Sequence, residues 1–114
     1  MRKLLFVLLF ITANTTHANY LNGAELLNHC VGYLQAEEKT DHICPAFIAG
    51  ITDVHVTLVN WGEHRREWCP PEDMKTDRLV SLVTRDLMKQ APESLIYSAS
   101  SLVAFALVKL FPCQ

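Results

Sequence analysis

The chain has 114 residues, half of them hydrophobic, with a formal net charge of −2 at pH 7 and four cysteines. That length sets one small domain, and the slightly acidic balance excludes the basic footprint of a nucleic-acid binder. With four glycines in the whole chain, no Gly-rich phosphate loop is present.

The first segment is an export signal. Met1-Arg2-Lys3 is positive, residues 4–11 are almost wholly apolar, and Thr16-His17-Ala18 ends a polar stretch with small residues suited to cleavage. The apolar run is far shorter than the roughly 20 residues a spanning helix needs. The expectation is a signal over residues 1–18, cut after Ala18, with a domain over residues 19–114 and no stable membrane insertion after cleavage. Without Arg2 and Lys3 the domain keeps 8 Lys and Arg against 12 Asp and Glu, a net charge of about −4. That value mildly favours a basic partner.

Four helices follow, and no segment has the two-residue alternation of a strand. The first is predicted over 23–34, with Leu26, Leu27, Cys30 and Leu34 on one face. Residues 35–42 are polar and read as a loop. A second helix opens at Cys44-Pro45, with Pro suited to a first turn, and its stripe of Phe47, Ile51, Val54, Leu58 and Trp61 predicts the buried face. Gly50 is costly inside this helix and suggests a close helix crossing. Asp53 is expected to make a buried or half-buried hydrogen bond, His55 to lie on the surface, and Gly62 to stop the helix.

Residues 63–73 are charged, carry Pro70-Pro71 and read as a loop. Thr76 is the expected cap of a third helix that runs to Lys89, with Leu79, Val80, Val83 and Leu87 inward. A last helix is predicted over 92–111. It is apolar on most of its circumference, so it should be central to the domain or shared with a second subunit. The fold class is therefore all-α, a compact bundle of about four helices.

Topology narrows the three pairings that Cys30, Cys44, Cys69 and Cys113 allow. Short links make successive helices antiparallel, which brings Cys30 to Cys44 at one end and Cys69 to Cys113 at the other. In a chain-entropy account these bridges contribute about 3 and 4 kcal/mol. His29, Cys30, His42 and Cys44 include the ligand types of a zinc site. Their spacing departs from the usual C-x2-C pattern, and export oxidises thiols, so no metal and no cofactor is expected.

No nucleophile and base stand together in a catalytic motif, so the chain does not read as an enzyme. The segment Trp61-Gly62-Glu63-His64-Arg65-Arg66-Glu67-Trp68 is the richest patch, because Trp and Arg predominate at binding hot spots. Trp61, Glu63, His64, Arg65, Arg66 and Glu67 are the candidate partner-binding residues. Trp68, beside Cys69, is expected to tuck into the core.

Residues 44–53, Cys-Pro-Ala-Phe-Ile-Ala-Gly-Ile-Thr-Asp, precede Trp68-Cys69-Pro70-Pro71, then Pro92-Glu93, and finally Phe111-Pro112-Cys113. In that order these segments resemble the Rap/Tai immunity proteins of bacterial type VI secretion systems, over nearly all of the chain after the signal. The resemblance implies a small helical periplasmic protein, often a homodimer. It implies binding to a peptidoglycan amidase delivered by sibling cells, with a protruding segment plugging the amidase cleft. It also implies structural roles for Gly50, Asp53, Pro70 and Pro112. The competing class is a periplasmic stress chaperone, a small bridged helical protein that exposes apolar faces in acid.

Overall fold

A computed structural model describes residues 20–114; the expected export signal and its expected cut after Ala18 lie outside the described residues. Among the described residues the chain is all helical, with α1 over Gly23–Gln35, α2 over Ile43–Asn60, α3 over Thr76–Met88 and α4 over Ala99–Leu110. A 3-10 helix, Pro92–Ile96, precedes α4.

Asn22 starts α1 through a reciprocal capping box. Its side chain accepts from the Glu25 N–H and the Glu25 carboxylate accepts from the Asn22 N–H, both at 2.9 Å. The Asn-x-x-Glu spacing is the sequence signal for this cap. At the other end, Lys39 folds back so that its ammonium donates to the Tyr33 and Ala36 carbonyls, at 2.9 Å for Ala36. A cation suits the negative pole of the helix there. The buried face is Gly23, Leu26, Cys30 and Tyr33; Leu34, expected inward, is exposed. Tyr33 takes its place because its hydroxyl reaches Asp77 of α3 at 2.7 Å.

The largest departure from expectation concerns α2. Its buried residues are Cys44, Pro45, Ile48 and His55, whereas Val54 and Trp61 of the predicted stripe are 59% and 71% exposed. Apolar residues occur on more than one face of α2, so periodicity alone leaves its rotation open. The Cys30–Cys44 bridge fixes that rotation, turning the helix by one residue, about 100°. The same rotation reverses the two polar expectations. His55 is buried and Asp53, two residues away on the opposite side, is exposed. Gly50 meets no helix crossing, since a Cβ there would have open space around it. Gly62 does end α2, at φ 75°, where its N–H donates to Val59 and the Glu63 N–H donates to Leu58. These are the two bonds of a Schellman turn.

The predicted last helix is broken. Tyr97 and Ser98 are extended, and Ser98 forms an isolated bridge with Asn22. The Gly23 N–H donates to the Tyr97 carbonyl at 2.9 Å, and the Ala99 N–H donates to the Leu21 carbonyl at 3.0 Å. The break thus supplies partners to backbone groups that helix starts leave unpaired. Nor is α4 the central element. That position belongs to α1, which packs against α2, α3, α4 and the 3-10 helix. Ala99, Val103, Ala106 and Leu107 of α4 are buried, but Phe105 is 60% exposed.

In α3, Thr76 is the first helical residue rather than the cap, and Lys75 precedes it with no side-chain cap. Val80, Val83 and Leu87 face the core as expected, and Leu79 is half-buried. Lys109 of α4 grips Asp86 of α3 at 2.9 and 3.0 Å, tying the last two helices together.

Both disulfides join the pairs that helix order predicts: Cys30 to Cys44 at 2.01 Å and Cys69 to Cys113 at 2.03 Å. The first is wholly buried in the core, and the second lies at the surface.

Two glycines of α1 make opposite predictions. A Cβ on Gly23 would lie 3.0 Å from the Leu95 carbonyl oxygen and against the Leu102 side chain, whereas one on Gly32 meets nothing. Gly23→Ala should lower stability by about 1–3 kcal/mol through overpacking. Gly32→Ala should raise it by about 0.5–1 kcal/mol through helix propensity. Denaturant midpoints of the two variants measure both signs.

Candidate functional site

After the Schellman turn the chain reverses and runs back along α2. Trp61 caps the helix with its ring exposed, and Glu63, His64, Arg65 and Arg66 are exposed in succession. Glu67 is half-buried and Trp68 is buried. The structure therefore presents the expected patch as one outward turn between two fixed points. Trp68 behaves as predicted; Trp61 does not enter the core.

The inner fixed point is His55. Its ring stacks on the Trp68 indole with centroids 3.7 Å apart and planes 20° from parallel. Its Nε2 accepts a hydrogen bond from the Glu67 N–H at 3.0 Å. An acceptor Nε2 places the ring proton on Nδ1. Burial first, then the nearby charges of His64 and Arg66, hold this imidazole below its ordinary pKa of 6.5, with Glu67 opposing. Arg65 donates to the Glu67 carboxylate at 2.9 Å, and His64 Nε2 lies 3.9 Å from the same oxygen. The Arg65 contact holds Glu67 below the usual carboxylate range and raises Arg65 in turn. Arg66 makes no ion pair within the described residues, so its guanidinium is available to a partner.

The outer fixed point is the Cys69–Cys113 bridge, reinforced by a 2.8 Å hydrogen bond from the Cys69 N–H to the Phe111 carbonyl. Pro70 and Pro112 follow and precede its two cysteines, where restricted φ stiffens the chain.

An open groove of about 690 Å³ adjoins this turn. Phe47, Gly50, Ile51, Val54 and Leu58 of α2 form one wall, and Ser100, Ser101 and Ala104 of α4 form the other. His55, His64 and Trp68 close one end. The stripe expected to be the core of α2 is thus mostly the wall of a surface groove. Sequence periodicity identifies an apolar face but does not tell a core from the wall of a surface groove. His55 was missed as a positioning residue because only the fold brings it to Trp68.

Among the described residues the remaining polar groups are engaged in local contacts. His29 Nδ1 pairs with Asp41 at 2.7 Å, and Asp41 also accepts from the Ile43 N–H at the start of α2. The His29 bond first, and the Ile43 bond second, lower the Asp41 pKa. Cys30 and Cys44 are spent on their bridge, and no group of three metal-binding side chains occurs among the described residues. Asp53 contributes only its backbone carbonyl, which accepts from the Thr57 hydroxyl at 2.9 Å. Among the described residues α2 alone is long and apolar enough to cross a membrane, with a mean hydropathy of 1.4. It is bridged to α1 and packs against α1, α3 and α4.

No curated protein matches the chain. The family of Rap1a immunity proteins matches residues 22–113, nearly everything from the α1 cap to the second bridge. Immunity proteins are inhibitors that work by binding, in keeping with a site made of a fixed turn and an apolar groove. The chain belongs to the family of Rap1a immunity proteins and is not an enzyme.

Proposed function

We propose that this protein is a periplasmic inhibitor that binds and occludes a peptidoglycan amidase effector of a type VI secretion system, protecting the cell from its siblings. The observation that carries the reading is the outward turn over residues 61–67 in a chain of this family. Trp61, Glu63, His64, Arg65 and Arg66 are exposed side by side, and the turn is pinned at both ends. Occlusion needs a complementary wedge and no reactive group, and a wedge ordered before binding loses little entropy on association. Two disulfides fit an oxidising compartment outside the cytoplasm. The net charge of about −4 on the domain favours encounter with a basic cell-wall enzyme.

The α2–α4 groove is the seam of a homodimer in this reading. Phe47, Gly50, Ile51, Val54 and Leu58 carry no charge, Val54 is 59% exposed, and Gly50 leaves space for a second backbone to approach. An apolar face of this kind is covered in a stable assembly.

Purified protein should form a discrete complex with an amidase encoded beside its gene and abolish its activity near equimolar ratio. Failure of that binding, with broad anti-aggregation activity in acid, would replace the reading by the stress chaperone. Arg65→Ala with Arg66→Ala should weaken inhibition by about tenfold or more. The melting temperature should hardly move, because the Arg65 side chain is 86% exposed. Undiminished inhibition would remove the turn from the interface. Val54→Asp should yield a monomer by light scattering with unchanged helicity; a wild-type protein that is already monomeric would reject the seam.

A further inference from the structure

We propose that neutral His55 is a latch that positions the 61–67 turn, and that its protonation releases the turn and weakens binding of the partner. The consequence for binding rests on the turn being the inhibitory segment; the latch itself does not.

The geometry depends on the protonation state of the ring. With the ring neutral, Nε2 offers a lone pair to the Glu67 N–H at 3.0 Å, and the flat face stacks on Trp68 at 3.7 Å. Protonation places a hydrogen on Nε2, so that two donors face each other across the same gap. The part-buried Glu67 N–H then loses its acceptor, so the turn moves or water takes the place of the ring nitrogen. The adjoining loop brings His64, edge-on with its centroid 6.0 Å away, together with Arg66 and Glu67. Across the groove, α4 contributes Ser100, Ser101 and Ala104, none of them ionisable. On α2 the nearest acid, Asp53, lies on the far side of the helix. Among the described residues Glu67 is the carboxylate that acts on the ring, and its charge is engaged by Arg65. An imidazolium at this position is therefore disfavoured by burial and by its His64 and Arg66 neighbours, with Glu67 alone opposing them.

The sign follows from linkage. Burial and the neighbouring cations depress the folded-state pKa of His55 below 6.5. The latch contribution is complete above about pH 6.5 and is lost as the pH falls below that value and through the lower folded pKa.

Nitrogen shifts of the imidazole and amide exchange of Glu67, measured on the full bridged protein between pH 7.5 and 5, test the latch directly. At pH 7.5 the His55 Nε2 should be unprotonated, and the Glu67 amide should be protected. On acidification its protection factor should fall by about fivefold relative to core amides of α1. His55→Gln, which keeps an acceptor and cannot titrate, should hold the protection constant across the range. His64→Gln should leave the transition in place. A protonated Nε2 at pH 7.5, a pH-independent Glu67 protection factor, or a transition abolished by His64→Gln would overturn the proposal. In the presence of the amidase, wild-type affinity should fall on acidification more steeply than that of His55→Gln. Equal pH profiles with an intact exchange transition would leave the latch standing and reject the turn as the inhibitory segment.

Discussion

The Cys69–Cys113 bridge constrains the segment that carries the exposed 61–67 turn. Residues 61–75 contain no helix or strand, and a free loop of that length would sample many conformations. The bridge, its hydrogen bond from Cys69 to Phe111 and the neighbouring Pro70 and Pro71 anchor the segment to the end of α4. At the other side, Gly62 turns the chain back and the Trp68 indole lies flat on His55. Only the stretch between these anchors projects outward. The buried Cys30–Cys44 bridge acts earlier in the hierarchy, because it sets the rotation of α2 and hence places His55 under the turn.

In the proposed function, this arrangement lets the domain act by binding alone. Affinity in such a protein depends on complementarity and on how little order must be created at binding. The turn carries a Trp and two Arg, side chains that contribute strongly at interfaces when held in place. Arg65 is steadied by Glu67, while Arg66 has no ion-pair partner within the described residues. The adjoining groove adds an uncharged face that a second surface can cover.

Much of the fold was legible in the sequence because its signals were local. Gly62 ended α2, Pro92 opened a helical turn, and helix order paired the cysteines. Signals that depend on tertiary context were not legible. The apolar residues of α2 form two overlapping stripes, and the choice between them was made by a covalent bond to α1. The split before α4 arises from backbone pairing with Asn22 and its neighbours, which no property of Tyr97 or Ser98 announces. The site divided in the same way. The exposed turn was apparent from its composition, whereas the roles of His55 as its support and of Val54 as groove wall required the packed structure.

The most direct test is a hydrogen-exchange footprint of the protein with and without the amidase encoded beside its gene. New protection is expected at the amides of residues 62–67, with core amides of α1 and α3 unchanged. Protection confined to α1 or α3, with the turn exchanging as in the free protein, would contradict it.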